Sequence, residues 1–483
     1  MKKLSLLIAV ITVFAVIACA CSRKGGTGNG TTEPAATSGD EFADNVPMDL
    51  KYNGYEFVMA FPNPADHGLD YQIIDDGSVA SQIDTAIYNR NRQIEGRFDI
   101  TISGLTAGLS DTQTSYFIDA ILSGEDAVDL AYIAFTFSGI PWITSGYAMP
   151  WNNIEYIDTD RVYWNQSIID NLAVDGKYFL IQGDLNWPSM ISTQVVFFNS
   201  NVAKEYQVEN LYDAVNAGTW TFDKMRTIAK GISQDLNNDG KFDENDKFGI
   251  TMCYYGAVYE IGIAANYITV AQDDGRLKMN VDTEKFADIV NYAIDLIYSE
   301  GTTYIERYDY VTESKGIGIF FDDRSLFMLT GLGTGDHFRN EMSDYGIIPW
   351  PKWDENQEKY CTTNDQWGLS CSIPKSATNT ARTGAITEAL CALSGRLVYP
   401  TYYEKVLSIR NTRDEESKKM LDLIFSNIIF DPGIAFGTRE TYIPLNKLVK
   451  DKSNNLASWS AKYSKKIQAQ FDELYDYVKQ NYN

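Results

Sequence analysis

From Tyr55 onward the chain alternates strand-like and helix-like runs, and this alternation narrows the possible folds more than any other feature. Tyr55-Glu56-Phe57-Val58-Met59-Ala60 reads as a strand, Gln82 to Arg97 as a helix, and Asp99-Ile100-Thr101-Ile102 as a second strand. A helix from Tyr116 to Leu122 leads into Val128-Asp129-Leu130-Ala131-Tyr132-Ile133, and Gln194-Val195-Val196-Phe197-Phe198-Asn199 reads as a buried strand. Alternation of this kind predicts a parallel α/β sheet covered by helices. Downstream, Phe286, Ile289, Val290, Ala293 and Ile297 mark one face of a helix that runs from Asp282 as N-cap to Gly301 as stop. Further helices are expected at Thr380 to Leu393, Asp414 to Phe425 and Ser460 to Lys479, and there is no internal repeat.

At 483 residues the chain exceeds one comfortable core and suits two lobes. Its 65 acidic against 41 basic residues give a formal charge of -24. That balance argues against nucleic acid as a partner, because phosphate binding needs a basic surface. Aromatics reach 13%, with 31 Tyr and 9 Trp; most must be packing, but such a surplus also suits a sugar-binding cleft. Cys253, Cys361, Cys371 and Cys391 lack the close CxxC spacing of zinc sites and read as core residues. The alternative for Cys361 and Cys371 is a disulfide across a hairpin.

At the N-terminus, Lys2 and Lys3 precede an apolar run, Leu4 to Ala18, that ends in Val16-Ile17-Ala18-Cys19. A basic start, a short apolar stretch and a small residue before the cut describe an export signal over residues 1–18. A cysteine directly after the cut resembles the bacterial lipobox, which implies a lipid on Cys19 that tethers the protein to the outer face of the cell membrane. Cys21 is a second candidate, but Val16 three residues before Cys19 suits the motif better than Ala18 before Cys21. Residues 19–47, rich in Gly, Thr, Ser and Ala, read as a flexible tether. No later segment is apolar enough to cross a bilayer.

Between Asp235 and Asp246 oxygen-bearing side chains recur at the spacing of an EF-hand calcium loop. Asp235, Asn237, Asp239, Asp243 and Asp246 hold the side-chain ligand positions, Gly240 the sharp turn, and Lys241 the position that offers its backbone carbonyl. The closing residue is Asp246 rather than Glu, which shortens the reach. Phe248 to Met252 after the loop reads as a strand, so a structural ion is expected rather than a regulatory helix pair. The bland alternative is a solvated turn, since Asn, Asp and Gly favour turns without metal.

Several stretches in collinear order resemble the extracellular solute-binding proteins of ABC importers, specifically the family 1 type that includes many sugar binders. They are Asp84 to Asn91, Gly176-Lys177-Tyr178 with Gly183-Asp184, Phe197-Phe198-Asn199, Thr219-Trp220-Thr221-Phe222-Asp223, Tyr345 to Lys352, Gln357 with Tyr360, and Arg413 to Ser417. The resemblance implies a two-lobe α/β, periplasmic-binding-protein-like fold of type II, in which ligand is held between lobes that close by hinge motion. Crossings are then expected near Met190 to Val195, Leu329 to Gly335 and Thr363 to Gly368. Residues 48–189 with 330–362 would form the first lobe, and 190–329 with 363–483 the second. Residues near the crossings and strand ends become ligand candidates: Phe135, Thr136, Asp184, Trp187, Tyr254, Tyr255, Asp365 and Trp367. Aromatic faces and carboxylates of this kind suit the C–H face and hydroxyls of a sugar.

Catalysis finds little support in the sequence. Only His67 and His337 are present, and there is no HExxH, GxSxG or GxxxxGK signature. The run Gly331-Leu332-Gly333-Thr334-Gly335 lacks GxGxxG spacing and reads as a place where the backbone crosses between lobes. The expectation is a lipid-anchored protein, not an enzyme, that delivers a solute, most readily a mono- or oligosaccharide, to the membrane permease of an ABC importer, with a structural Ca2+. The alternatives are a secreted glycoside hydrolase with paired carboxylates and a cell-surface sugar sensor or adhesin.

Overall fold

The computed structural model describes residues 40–61, 72–74, 79–106, 115–124, 126–134, 139–306, 315–339, 344–364, 368–407, 415–437 and 444–482. Residues 1–40 and 41–483 are separate units, and the folded body is the second. Its first part runs β1 (Tyr55–Phe61), α1 (Gln82–Phe98), β2 (Ile100–Thr106), α2 (Ser115–Leu122), β3 (Leu130–Ala134), α3 (Gly139–Thr144), β4 (Ala148–Met149) and α4 (Gln166–Leu172), then a 3-10 segment at Asp184–Met190. The middle runs β5 (Gln194–Asn199), α5 (Ser200–Glu205), α6 (Leu211–Asn216), α7 (Phe222–Lys230), β6 (Phe248–Cys253), α8 (Tyr254–Ala264) and the hairpin β7 (Val270–Asp273) and β8 (Arg276–Met279). It continues with α9 (Glu284–Ile297), β9 (Thr303–Glu306), α10 (Lys315–Phe321), β10 (Ser325–Gly331), a 3-10 turn at Leu332–Arg339 and β11 (Tyr345–Ile348). The last part is β12 (Leu369–Pro374), α11 (Thr380–Leu407), α12 (Glu415–Phe425), α13 (Pro432–Phe436), α14 (Pro444–Lys450) and α15 (Leu456–Tyr482).

Two larger sheets define two lobes. The first has the order β2-β1-β3-β12-β4 and the second β11-β5-β10-β6-β9. Neither is purely parallel, contrary to the expectation from alternation. β1 pairs in parallel with β2 and β3, but β12 returns antiparallel to β3; likewise β6 is parallel to β9 and β10, whereas β5 is antiparallel to β10 and β11. The reversed strands, β12 and β5, are the two whose preceding segment arrives from the other lobe. A crossover helix is therefore not there to restore their direction.

The expected helices and strands form with small shifts at their ends. Ser81 caps α1 by accepting from Asp84 N at 3.1 Å, and Ile83, Ile87, Ile94 and Phe98 turn its apolar face inward. Helix α9 is capped by Thr283 rather than Asp282: Thr283 Oγ1 accepts from Phe286 N at 3.1 Å. Helix α11 runs well past the expected Leu393. Ala385, Ile386, Ala389 and Leu390 lie in the first-lobe core, whereas Val398 and Tyr402 join a cluster with Phe197 and Ile347 of the second sheet and Leu421 and Ile424 of α12. The helix changes partners along its length, so no single apolar face marks its full extent.

Two further expectations change. The tether does not extend to residue 47: Val46 is buried, and Arg97 grips Asp44 through paired bonds of 2.7 Å. The lobe boundaries also move. Residues 345–348 belong to the second sheet and 369–374 to the first, so 330–362 is not first-lobe chain and the segment after 363 opens with a first-lobe strand.

Candidate ligand cleft and hinge

Among the described residues, two strand-to-strand crossings join the sheets: 190–194 between the 3-10 segment and β5, and the stretch from β11 to β12 that contains 362–364. They run side by side. Gln194 N donates to Thr363 O at 3.0 Å, and Thr362 Oγ1 donates to Gln194 O at 2.7 Å. Thr193 Oγ1 donates to Asn364 Oδ1 at 2.8 Å, Asn364 Nδ2 to Gln182 Oε1 at 3.2 Å, and Gln182 Nε2 to Leu369 O at 2.9 Å. All these residues are buried, so the hydrogen bonds replace water that the backbone would otherwise require.

The glycine run after β10 serves this hinge without crossing it, which corrects the expectation for 329–335. Leu332 N and Gly333 N donate to Thr193 O and Ile191 O, each at 2.8 Å. A Cβ on Gly333 would stand 2.2 Å from Ile191 Cγ2, so glycine permits the close approach of two backbone segments.

Open α/β sheets bind ligand beyond the carboxyl ends of their strands. In this chain that rule points to the segments after Phe61, Thr106 and Ala134 in the first lobe and after Cys253, Glu306 and Gly331 in the second. Four of the candidate residues, Phe135, Thr136, Asp365 and Trp367, fall outside the described residues. Tyr254 and Tyr255 open α8 at the carboxyl end of β6, where a cleft residue belongs.

Trp187 and Asp184 lie behind the crossing in the 3-10 segment. Trp187 is 3% exposed and its ring packs at 5.7 Å from that of Tyr402, in the cluster shared by α1, α11 and the second sheet. Its faces are spent on packing, which is not the setting for stacking on a sugar. Asp184 faces α11: a Cβ on Gly395 would stand 2.4 Å from its Oδ2, and burial raises its pKa well above the usual carboxylate range.

A second buried carboxylate, Glu388 on α11, accepts from Tyr163 Oη at 2.5 Å and Trp164 Nε1 at 2.9 Å. Burial raises its pKa to about 7 despite those two donors. Nothing in this arrangement places a second carboxylate across a sugar bond; Glu388 ties α11 to the turn before α4.

The acidic loop is closed at its base by reciprocal bonds between Gln234 and Lys247, at 2.9 and 3.0 Å. Within it Asp235 accepts from Asn238 N and Gly240 N, Asn237 from Asp239 N, Asp239 from Lys241 N, and Asp243 from Asn245 N. Asp246 is fully buried and accepts from Leu236 N at 3.0 Å and Asp243 N at 2.8 Å. Asn238 and Gly240 take the left-handed backbone that the turn requires. The donor types suit a hard cation, but no three His, Cys, Asp or Glu side chains among the described residues gather around a common point that would hold a metal.

Cys361, Cys371 and Cys391 are free and buried, so Cys361 and Cys371 are not bridged. Burial raises the first two thiols to about 11 and about 12, which leaves them unreactive near neutrality. Cys19 lies outside the described residues, among which no helix is long and apolar enough to cross a membrane.

No protein-family model matches the chain, and no curated protein sequence matches it. Solved structures do. An ABC substrate-binding protein from Listeria monocytogenes in complex with cycloalternan superposes with a TM-score of 0.53 at 11% identity, over 88% of this chain and 99% of that one. A cyclo/maltodextrin-binding protein complexed with maltotetraose gives 0.55 at 11% identity, over 90% and 100%. The GacH receptor of Streptomyces glaucescens, solved unliganded and with acarbose, gives 0.52 at 13%, over 89% and 100%. The chain therefore has the two-lobe fold of ABC-importer substrate-binding proteins, as its sequence segments implied.

Proposed function

We propose that the chain is the substrate-binding protein of an ABC importer, held outside the cell by a lipid on Cys19, and that it delivers a mono- or oligosaccharide without chemistry of its own. The observation that carries this reading is the fold: two lobes joined at a paired, hydrogen-bonded hinge, like proteins solved with cycloalternan, maltotetraose and acarbose. A ligand that touches both lobes stabilises the closed form, and a permease that prefers that form takes up only loaded protein. Tyr254 and Tyr255, where the chain opens α8 at the carboxyl end of β6, are proposed to meet it.

The test is a thermal-shift screen of the chain against mono- and oligosaccharides, with amino acids and peptides alongside. A melting shift with one sugar family, and recovery of that sugar uncut, supports the reading. Cleaved sugar would replace it with a hydrolase, and a response to peptides alone would remove the carbohydrate assignment.

We also propose Ca2+ for the loop 235–246, on the type and spacing of its oxygens rather than on a gathered site. Asp235, Asn237, Asp239, Asp243 and Asp246 with the Lys241 carbonyl would hold it, and the ion would supply only cohesion to the loop. Melting should rise with saturating calcium and fall with chelator; no shift in either direction would leave a turn closed by its own hydrogen bonds.

A further inference from the structure

Apart from the hinge and from α11, whose two halves pack in different lobes, the lobes are also joined by elements at the C-terminal end of the chain. Helix α15 has 27 residues, about 40 Å at the usual rise, enough to reach from one lobe to the other. Near its start Ser460 Oγ donates to Asp282 Oδ2 at 2.8 Å, just before α9 of the second lobe. Halfway along, Gln468 Nε2 donates to Leu277 O at 2.9 Å and its Oε1 accepts from Met279 N at 3.2 Å, both on the β7–β8 hairpin. Its last turn rests on the first lobe. Tyr482 Oη donates to Ala148 O at 3.0 Å, its ring meets Phe179 edge-on at 5.1 Å, and Tyr477 lies against Gly146, where a Cβ would stand 3.0 Å from its hydroxyl.

Two neighbours make the same bridge. The hairpin reaches the first lobe through Asp175 N to Gly275 O at 2.8 Å and Gln272 Nε2 to Asn171 O at 2.9 Å. Helix α13 is moored beside the hairpin by Asp431, and its Ala435 and Phe436 close on Gly139, where a Cβ would stand 2.2 Å from Ala435 O. Gly139 opens α3 shortly after β3 ends, at the carboxyl end of the first sheet. Ala148 pairs with Pro374 at the opposite, amino end of that sheet, so α13 meets the first lobe on the side where ligand would enter and the last turn of α15 meets it on the side away from the cleft.

We propose that α15 is an interlobe strap whose last turn must leave the first lobe before the cleft opens, so that this helix sets the balance of open and closed forms even without ligand. The inference needs only the fold and is independent of which solute is carried. Losing the aromatic contacts and the hydroxyl bond should raise the open population on the order of tenfold.

Nitroxides attached through ketone-bearing side chains at Asp160 on the first lobe and Asp288 on the second, both exposed, would report the interlobe distance in the full chain without added ligand. In the Tyr477→Ala/Tyr482→Ala variant the longer-distance population should rise about tenfold. Tyr482→Phe, which keeps the ring and loses only its donor to Ala148 O, should give a rise of roughly threefold. An unchanged distribution in a variant whose 475–482 amides exchange faster would overturn the proposal, because the tail would then be free and the lobes unmoved. Should the double variant fail to fold, Tyr482→Phe decides the question by the same two readings.

Discussion

Two of the junctions between the lobes, the hinge and the one at the C-terminal end of the chain, are built from different chemistry. At the hinge, Thr193, Gln194, Thr362 and Asn364 hold one crossing to the other through hydrogen bonds among buried polar groups. At the C-terminal junction, Trp142, Phe436, Leu474 and Val478 bring apolar side chains that are as deeply buried as any core residue. A pair of hydrogen-bonded strands turns about its own axis with its partners kept, whereas apolar contact is lost in proportion to the area that separates. Of these two, the hinge accordingly defines the direction of motion, and the C-terminal junction carries the larger energetic cost of separation.

The hardest way to break the C-terminal junction is at Asp431. Its carboxylate accepts from Thr269 N at 2.5 Å, Thr269 Oγ1 at 2.6 Å, Val270 N at 3.1 Å and Gly433 N at 2.8 Å, so it both caps α13 and fastens that helix to the hairpin. Asp431→Ala leaves these buried donors without an acceptor and should cost about 3–5 kcal/mol in urea denaturation. A loss below about 1 kcal/mol would mean that apolar contact with α3 alone holds α13 in place.

Glu388 gives a smaller, pH-dependent lever on α11, the helix whose two halves serve different lobes. Its folded pKa of about 7 exceeds the ordinary carboxylate value of 4.5. The folded state therefore holds the proton more tightly than the unfolded chain. Its contribution is fully present below about pH 4.5 and is lost as pH rises through about 7, for a total on the order of 2–3 kcal/mol. Glu388→Gln should flatten that part of the stability profile and keep the Tyr163 and Trp164 contacts; an unchanged slope between pH 5 and 8 would place the titration elsewhere.

The sequence made the lobes legible where one face of an element meets one partner. The strand at Gln194 to Asn199 and the helix carrying Phe286, Ile289 and Val290 stand where periodicity put them. It misled where an element serves two partners or where a residue type has two uses. α11 buries opposite ends in different cores, so its pattern blurs past Leu393. Glycines at 331 and 333 have the look of a crossing in sequence, but they admit the first crossing as a close neighbour. Trp187 has the composition of a sugar platform and the environment of a core residue, and only burial against Tyr402 separates the two. Asp44 and Val46 sit in a stretch that reads as tether until Arg97, far along the chain, supplies their partner.

The gentlest test sharpens the contrast from the hinge side. Thr193 is fully buried, and its hydroxyl donates to Asn364 Oδ1 at 2.8 Å. Thr193→Val keeps the shape and removes the donor, leaving Asn364 anchored through Nδ2 to Gln182. The expected cost is about 1–2 kcal/mol in urea denaturation. Because the backbone bonds from Gln194 N to Thr363 O and from Leu332 N to Thr193 O remain, the interlobe distance should stay where it is. A hinge variant that moves the lobes as far as loss of the Tyr477 and Tyr482 contacts would reverse the assignment, making the polar pair, and not the apolar C-terminal junction, the stronger hold between the two halves.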